Sequence, residues 1–291
     1  MKKFALLAAV ALCAGVVFAG TPDVSPYAGS GVTANDYDAW GQLIRSFTLS
    51  QPTGVKTGAA CIAPHPTVYT KLYITGAWTG FTGFGVYNSE TGALIGTVSA
   101  SAAGFRDGTG KCHLGTGYFV MGSGGPGPAY PVAITYTSSS PYVTLAIQTS
   151  PVIPSVGRGI AWDGTYYYAT TGAWGSPVGV YTSAGSQVRT WPISSSILAG
   201  LYGLATRVPG DGYLYTWDQA SGYLVIQNDS SGSAVRSFTV PGQAGGMDVG
   251  WSNGYLYCCG QTPNTCFVYD GALGFTNVIP KSLGRIKAAY R

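Results

Sequence analysis

One local pattern recurs from end to end of this chain, and it restricts the fold more than any other feature. Residues 157–192 contain GRGIAWDGTYYYATTGAW and then VGVYTSAGSQVRTW. Residues 203–240 contain GLATRVPGDGYLYTWD and then GYLVIQNDSSGSAVRSFTV. Residues 246–279 contain GMDVGWSNGYLYCCG and then TCFVYDGALGFTNVI, and residues 69–98 contain YTKLYITGAW and then FGVYNSETGALIGTV. A looser copy covers 104–148. Each unit resolves into four short runs of aromatic and β-branched residues, the pattern of strands. The first two runs meet at Asp163-Gly164, Asp211-Gly212 or Asn253-Gly254, dipeptides that tolerate positive φ in a tight hairpin. The last two meet at Glu90-Thr91-Gly92, Ala184-Gly185 or Ser231-Gly232.

A four-stranded unit repeating every ~40–50 residues is the signature of an all-β chain folded as a β-propeller. A β-helix needs a much shorter period, and a sandwich does not repeat in this way. The chain ends suggest how the ring closes. Arg45-Ser46-Phe47-Thr48-Leu49 matches Arg236-Ser237-Phe238-Thr239-Val240, so the chain is expected to enter in the outer half of a blade. Ser282-Leu283-Gly284-Arg285-Ile286 matches the lead into an inner strand at 155–160. Five internal blades and one built from both termini predict six; five is the alternative. Closure removes the exposed sheet edges that invite aggregation. In this pattern the units resemble those of six-bladed propellers of the NHL, YVTN and SMP-30-like kind. That resemblance implies the fold and no activity, because the metal-binding carboxylates of SMP-30-like lactonases are not found and Glu90 is the only Glu.

Lys2 and Lys3 precede an apolar run from Phe4 to Phe18, and Ala19 suits a cleavage site, so residues 1–19 read as a secretion signal. The run is too short to span a membrane. Residues 20–291 read as a single propeller domain, secreted to the periplasm, the cell surface or the medium, and expected to be monomeric. Only 9% of residues are charged, against ~25% in ordinary globular chains. The net charge of +4 falls to +2 without Lys2 and Lys3, and no basic run exists, which argues against nucleic acid as a partner. Export permits disulfides. Cys266 is expected to pair with Cys258 or Cys259, with Cys259 the preferred partner, and Cys61 with Cys112; one thiol is left over.

Propeller ligands usually bind on the face shared by the loops entering the first strand and leaving the second, an expectation by fold analogy. Two sets of residues fall there. Trp78, Trp174, Trp217 and Tyr130 follow second strands, as flat aromatics that suit sugar rings or packing between blades. Lys56, Arg106, Arg158, Tyr202, Asp248 and Arg285 precede first strands. A basic ring there suits a carboxylate or sulfate, since Arg makes bidentate charged hydrogen bonds. Alternatively, each Arg caps unpaired inner carbonyls. His65 and His113 lie near no acidic cluster, so neither a metal site nor a cofactor is expected. No Gly-x-Ser-x-Gly elbow or phosphate loop occurs. The functional expectation is a secreted, non-catalytic protein that binds a glycan or a surface protein. The alternatives are a glycan- or lactone-active enzyme using Asp218 or Asp248, and a structural surface or appendage subunit.

Overall fold

Tight turns set the strands of this chain, and the same turn chemistry is used in successive units. In the computed structural model the described residues are 43–49, 56–63, 72–77, 83–99, 105–115, 117–123, 126–171, 177–191, 201–218, 222–240, 247–252, 255–260 and 265–270. The expected signal segment 1–19 lies outside them. Asp163 holds its turn by accepting the backbone N–H of Thr165 at 2.6 Å and of Tyr166 at 2.7 Å. Its second carboxylate oxygen accepts the Tyr168 hydroxyl at 2.9 Å. Asp211 repeats the arrangement with the Tyr213 N–H at 3.2 Å and the Tyr215 hydroxyl at 2.9 Å, and adds Arg207 Nε at 3.1 Å. Gly164 and Gly212 follow at φ 103° and 87°, where a side chain would be strained. Burial first, and the neighbouring Asp charge second, raise the Tyr168 and Tyr215 phenols above their ordinary range, so both donate as neutral hydroxyls. The outer turns repeat as well. The side-chain oxygens of Asn88 and Asn228 each accept two backbone N–H groups, ahead of Gly92 and Gly232 at positive φ.

Twenty-one strands result among the described residues. The first sheet is β2 (Lys56–Ala63), β3 (Leu72–Ala77), β4 (Gly83–Asn88) and β5 (Leu94–Ser99). The second is β6 (Phe105–Thr109), β7 (Tyr118–Ser123) and β8 (Gly127–Tyr136), with both β9 (Val143–Ile147) and β10 (Ile153–Val156) on the far side of β8. The third is β11 (Ile160–Trp162), β12 (Tyr167–Thr170), β13 (Val178–Tyr181) and β14 (Gln187–Trp191). The fourth is β15 (Leu201–Ala205), β16 (Tyr213–Asp218), β17 (Tyr223–Asn228) and β18 (Ala234–Thr239). The fifth takes β19 (Met247–Ser252), β20 (Tyr255–Gly260) and β21 (Thr265–Asp270) from the C-terminal side and adds β1 (Leu43–Thr48) as its outermost strand. All strand pairs within sheets are antiparallel.

The inner strands touch in the cyclic order β2, β6, β11, β15, β19 and back to β2, so the described sheets close a ring of five. Apolar clusters fill all five seams. Phe84 and Val86 meet Phe119, Met121 and Val132 between the first and second sheets. Val120 and Ala129 meet Trp162 and Tyr167 between the second and third, and Tyr168 and Val180 meet Leu214 and Val225 between the third and fourth. Tyr215 and Trp217 meet Val249, Leu256 and Tyr269 between the fourth and fifth, and Tyr257, Cys259 and Cys266 meet Leu49 and Tyr87 between the fifth and first. Each buried large side chain contributes about 1.5–3 kcal/mol before entropy is counted, so the seams are what hold the ring.

The chain is therefore a β-propeller with its closing sheet built from both ends, as the repeat implies. Five sheets lie in the ring among the described residues, where six was expected with five as the alternative. The fourth strand of the last sheet comes from β1, and among the described residues β19 touches β2. Residues 271–291, including the expected inner strand at 282–286, lie outside the described residues. Among the described cysteines, Cys112, Cys258, Cys259 and Cys266 form no disulfide. Cys259 and Cys266 stand opposite one another in the β20–β21 register, but they pack as thiols in the fifth seam. The Cys112 thiol is hydrogen-bonded to Tyr167 and does not join Cys61.

Candidate functional site at the ring mouth

Each sheet has the same strand order, so the five inner strands begin at one end of the ring. The register ties each of these starts to the end of a second strand. Lys56 pairs with Ala77, Phe105 with Ser123, Leu201 with Asp218, and Met247 with Gly260. In the third sheet the Arg158 N–H donates to Thr170 Oγ1 at 2.6 Å, and Gly157 N–H to the Thr170 carbonyl at 2.6 Å. One candidate residue thus stands at this mouth on each sheet: Lys56, Arg106, Arg158, Tyr202 and Asp248. The three cationic residues belong to three consecutive sheets, and Tyr202 and Asp248 to the other two. Arg158 is half-buried. Arg285 lies outside the described residues.

The aromatic candidates divide. Trp217 is not a rim residue: it is fully buried in the seam between the fourth and fifth sheets, because the next sheet covers the end of β16. Tyr130 is half-buried and packs against the cluster between the first and second sheets. Trp78 and Trp174 lie outside the described residues. Asp218, at the end of β16, is 1% exposed, which removes its carboxylate from open solvent. No group of three or more metal-ligating side chains occurs among the described residues.

A second concave feature was not anticipated from sequence. His113 lies in the connection beyond β6. Its Nδ1 is 2.8 Å from the Tyr167 hydroxyl, and its backbone N–H donates to the same oxygen at 3.1 Å. Tyr167 packs on Trp162 with ring centroids 4.4 Å apart. Burial lowers the His113 pKa, keeping the ring neutral at pH 7, and burial raises Tyr167 well above the ordinary phenol range. The signal was long-range: the two partners are 54 residues apart in sequence.

Among known proteins, no family model matches this chain, and no curated protein matches it. Among solved structures it is similar to the WD40 β-propeller domain of Doa1, at 15% sequence identity and a TM-score of 0.38. The match covers 68% of this chain and spans 60% of the length of that one. No described helix is long and apolar enough to cross a membrane.

Proposed function

We propose that this chain is a secreted, non-catalytic binding protein whose ring mouth takes a carboxylated or sulfated glycan. The observation that carries this reading is the occurrence of Lys56, Arg106 and Arg158 at the starts of three consecutive inner strands. Three cationic groups from neighbouring sheets offer several charge-assisted hydrogen bonds to one anionic group, each worth about 1.5–3 kcal/mol. Tyr202 supplies a phenol that can serve the same ligand from the fourth sheet. Low overall charge leaves this cluster as a local field, so selection rests on the mouth and not on the whole surface. Within propellers, the turn and aromatic repeat supports a place with the NHL, YVTN and SMP-30-like kind.

The test is a glycan array probed with the mature chain and with a triple variant, Lys56→Gln, Arg106→Gln and Arg158→Gln. Binding to sulfated or uronate-bearing glycans by the wild type, lost in a folded triple variant, supports the reading. Equal binding by both proteins, or a preference for neutral glycans at this mouth, overturns it.

A further inference from the structure

The second sheet differs from the other described sheets at its outer edge. The outer strand of the second sheet is divided: β9 pairs with the later half of β8, and β10 with its start. Gln148 N–H donates to the Pro131 carbonyl at 2.9 Å, and Val152 N–H to the Ala129 carbonyl at 2.8 Å. Residues 149–151 therefore bulge away from β8. Bulges re-aim side chains and concentrate beside binding sites. Opposite the bulge stands the outer turn of the third sheet, with Ser183 and Ala184. Between them lies an open cavity of about 340 Å³, reached by His113, Pro131, Gln148, Thr149, Ser150 and Ser183 among its walls.

We propose that this seam cavity binds one uncharged hexopyranose ring, at a place separate from the ring mouth. Size is the first argument: the volume is near the lower end of the ~300–1,000 Å³ range of small-ligand sites, enough for one ring. Charge is the second: no Asp, Glu, Lys or Arg lines the cavity, so a charged ligand finds no counter-charge there. Donor chemistry is the third. Thr149, Ser150 and Ser183 carry hydroxyls, which donate and accept as sugar hydroxyls do, and Gln148 adds a side-chain amide. Pro131, Pro151 and Leu114 supply apolar surface for the C–H faces of a ring.

His113 adds a fixed donor. The Tyr167 phenol is neutral and has one proton to give. Its oxygen already accepts the His113 backbone N–H, and the Cys112 thiol is hydrogen-bonded to it. The strong acceptor within reach is His113 Nδ1, at 2.8 Å. This network assigns the tautomer with hydrogen on Nε2, leaving that N–H as the donor available to the cavity. Trp162 packed on Tyr167 holds the imidazole's anchor rigid, so little is lost on binding.

Saturation-transfer NMR on the full chain tests the site, with methyl glucoside, galactoside and mannoside, a glucose trisaccharide and glucuronate as probes. A neutral hexoside is expected to show transfer, and glucuronate none. Transfer from the trisaccharide confined to one end ring marks a glycan terminus as the source; transfer from the monosaccharide alone marks a free sugar. Ser183→Trp, at an exposed turn, is expected to abolish transfer. His113→Ala is expected to weaken binding about tenfold, the loss of one well-placed hydrogen bond. The mouth variants Lys56→Gln and Arg106→Gln are expected to leave it unchanged, which separates this site from the proposed function. No transfer from any neutral hexoside, preferential binding of glucuronate, or transfer that survives His113→Ala unchanged overturns the proposal. Should Ser183→Trp fail to fold, the His113→Ala result decides.

Discussion

Gly185 lies in the turn between β13 and β14 at φ +80°, and replacing it with Ala probes the seam between the second and third sheets directly. An L-residue in this left-handed region costs roughly 1–2 kcal/mol. A Cβ at Gly185 would also overlap the carbonyl oxygen of Val152, which belongs to the neighbouring sheet. That contact is with backbone, so no rotamer change relieves it, and the turn must pull away from the second sheet. Overpacking of this kind costs about 1–3 kcal/mol, so Gly185→Ala should lose about 2–5 kcal/mol in all. Gly212 provides the control. It has φ +87°, and a Cβ there meets nothing within 4 Å. Gly212→Ala should therefore lose only the conformational part, about 1–2 kcal/mol. Urea denaturation followed by tryptophan fluorescence measures both variants against wild type. Equal losses in the two variants would refute the seating of the Gly185 turn on Val152, and with it the outer wall of the seam cavity.

Arg45 donates to the Ser89 carbonyl at 2.5 Å and reaches the Tyr257 hydroxyl at 3.5 Å, tying β1 to the first and fifth sheets; Arg45→Ala should lower stability by about 1–3 kcal/mol in the same denaturation assay. Burial pushes the Tyr257 phenol from 10.0 up to about 12. Its folded value is raised above the unfolded one, so its contribution is complete below pH 10 and is lost as pH rises to about 12; Tyr257→Phe should flatten stability over that window, read by denaturation at stepped pH. Tyr215→Phe removes the phenol that donates to Asp211 and should cost about 1–3 kcal/mol, with Tyr168→Phe behaving alike at Asp163. Cys112, Cys258, Cys259 and Cys266 are buried thiols, so iodoacetamide should label them only in denaturant, as peptide mass spectrometry would report.

The propeller was legible because its turn chemistry is local. Asp163-Gly164 and Asp211-Gly212 announce hairpins within a few residues, and the structure supplies the reason in the paired Tyr168 and Tyr215 hydroxyls. The closing strand was legible too, since 45–49 reads like 236–240 and β1 takes the same outer position as β18. The number of blades was less so. Sequence similarity at 282–286 suggests one more inner strand, whereas contact between β19 and β2 already closes the described ring. Trp217 shows a related difficulty. Position in the repeat indicates the end of a strand, but whether that end faces solvent depends on the neighbouring sheet, here Val249, Leu256 and Phe267. His113 has no local signal at all, because its partners arrive from another sheet.

The central claim is that cationic residues at the starts of consecutive inner strands act together on one anionic ligand. Calorimetric titration of a sulfated oligosaccharide selected on the array, into wild type, Lys56→Gln, Arg106→Gln and Arg158→Gln at stepped salt, tests it most directly. Each single variant should weaken binding by about tenfold or more and reduce the salt dependence, while Asp248→Asn leaves affinity equal or higher. Unchanged affinity and salt dependence in all three cationic variants, each shown to be folded, would contradict it.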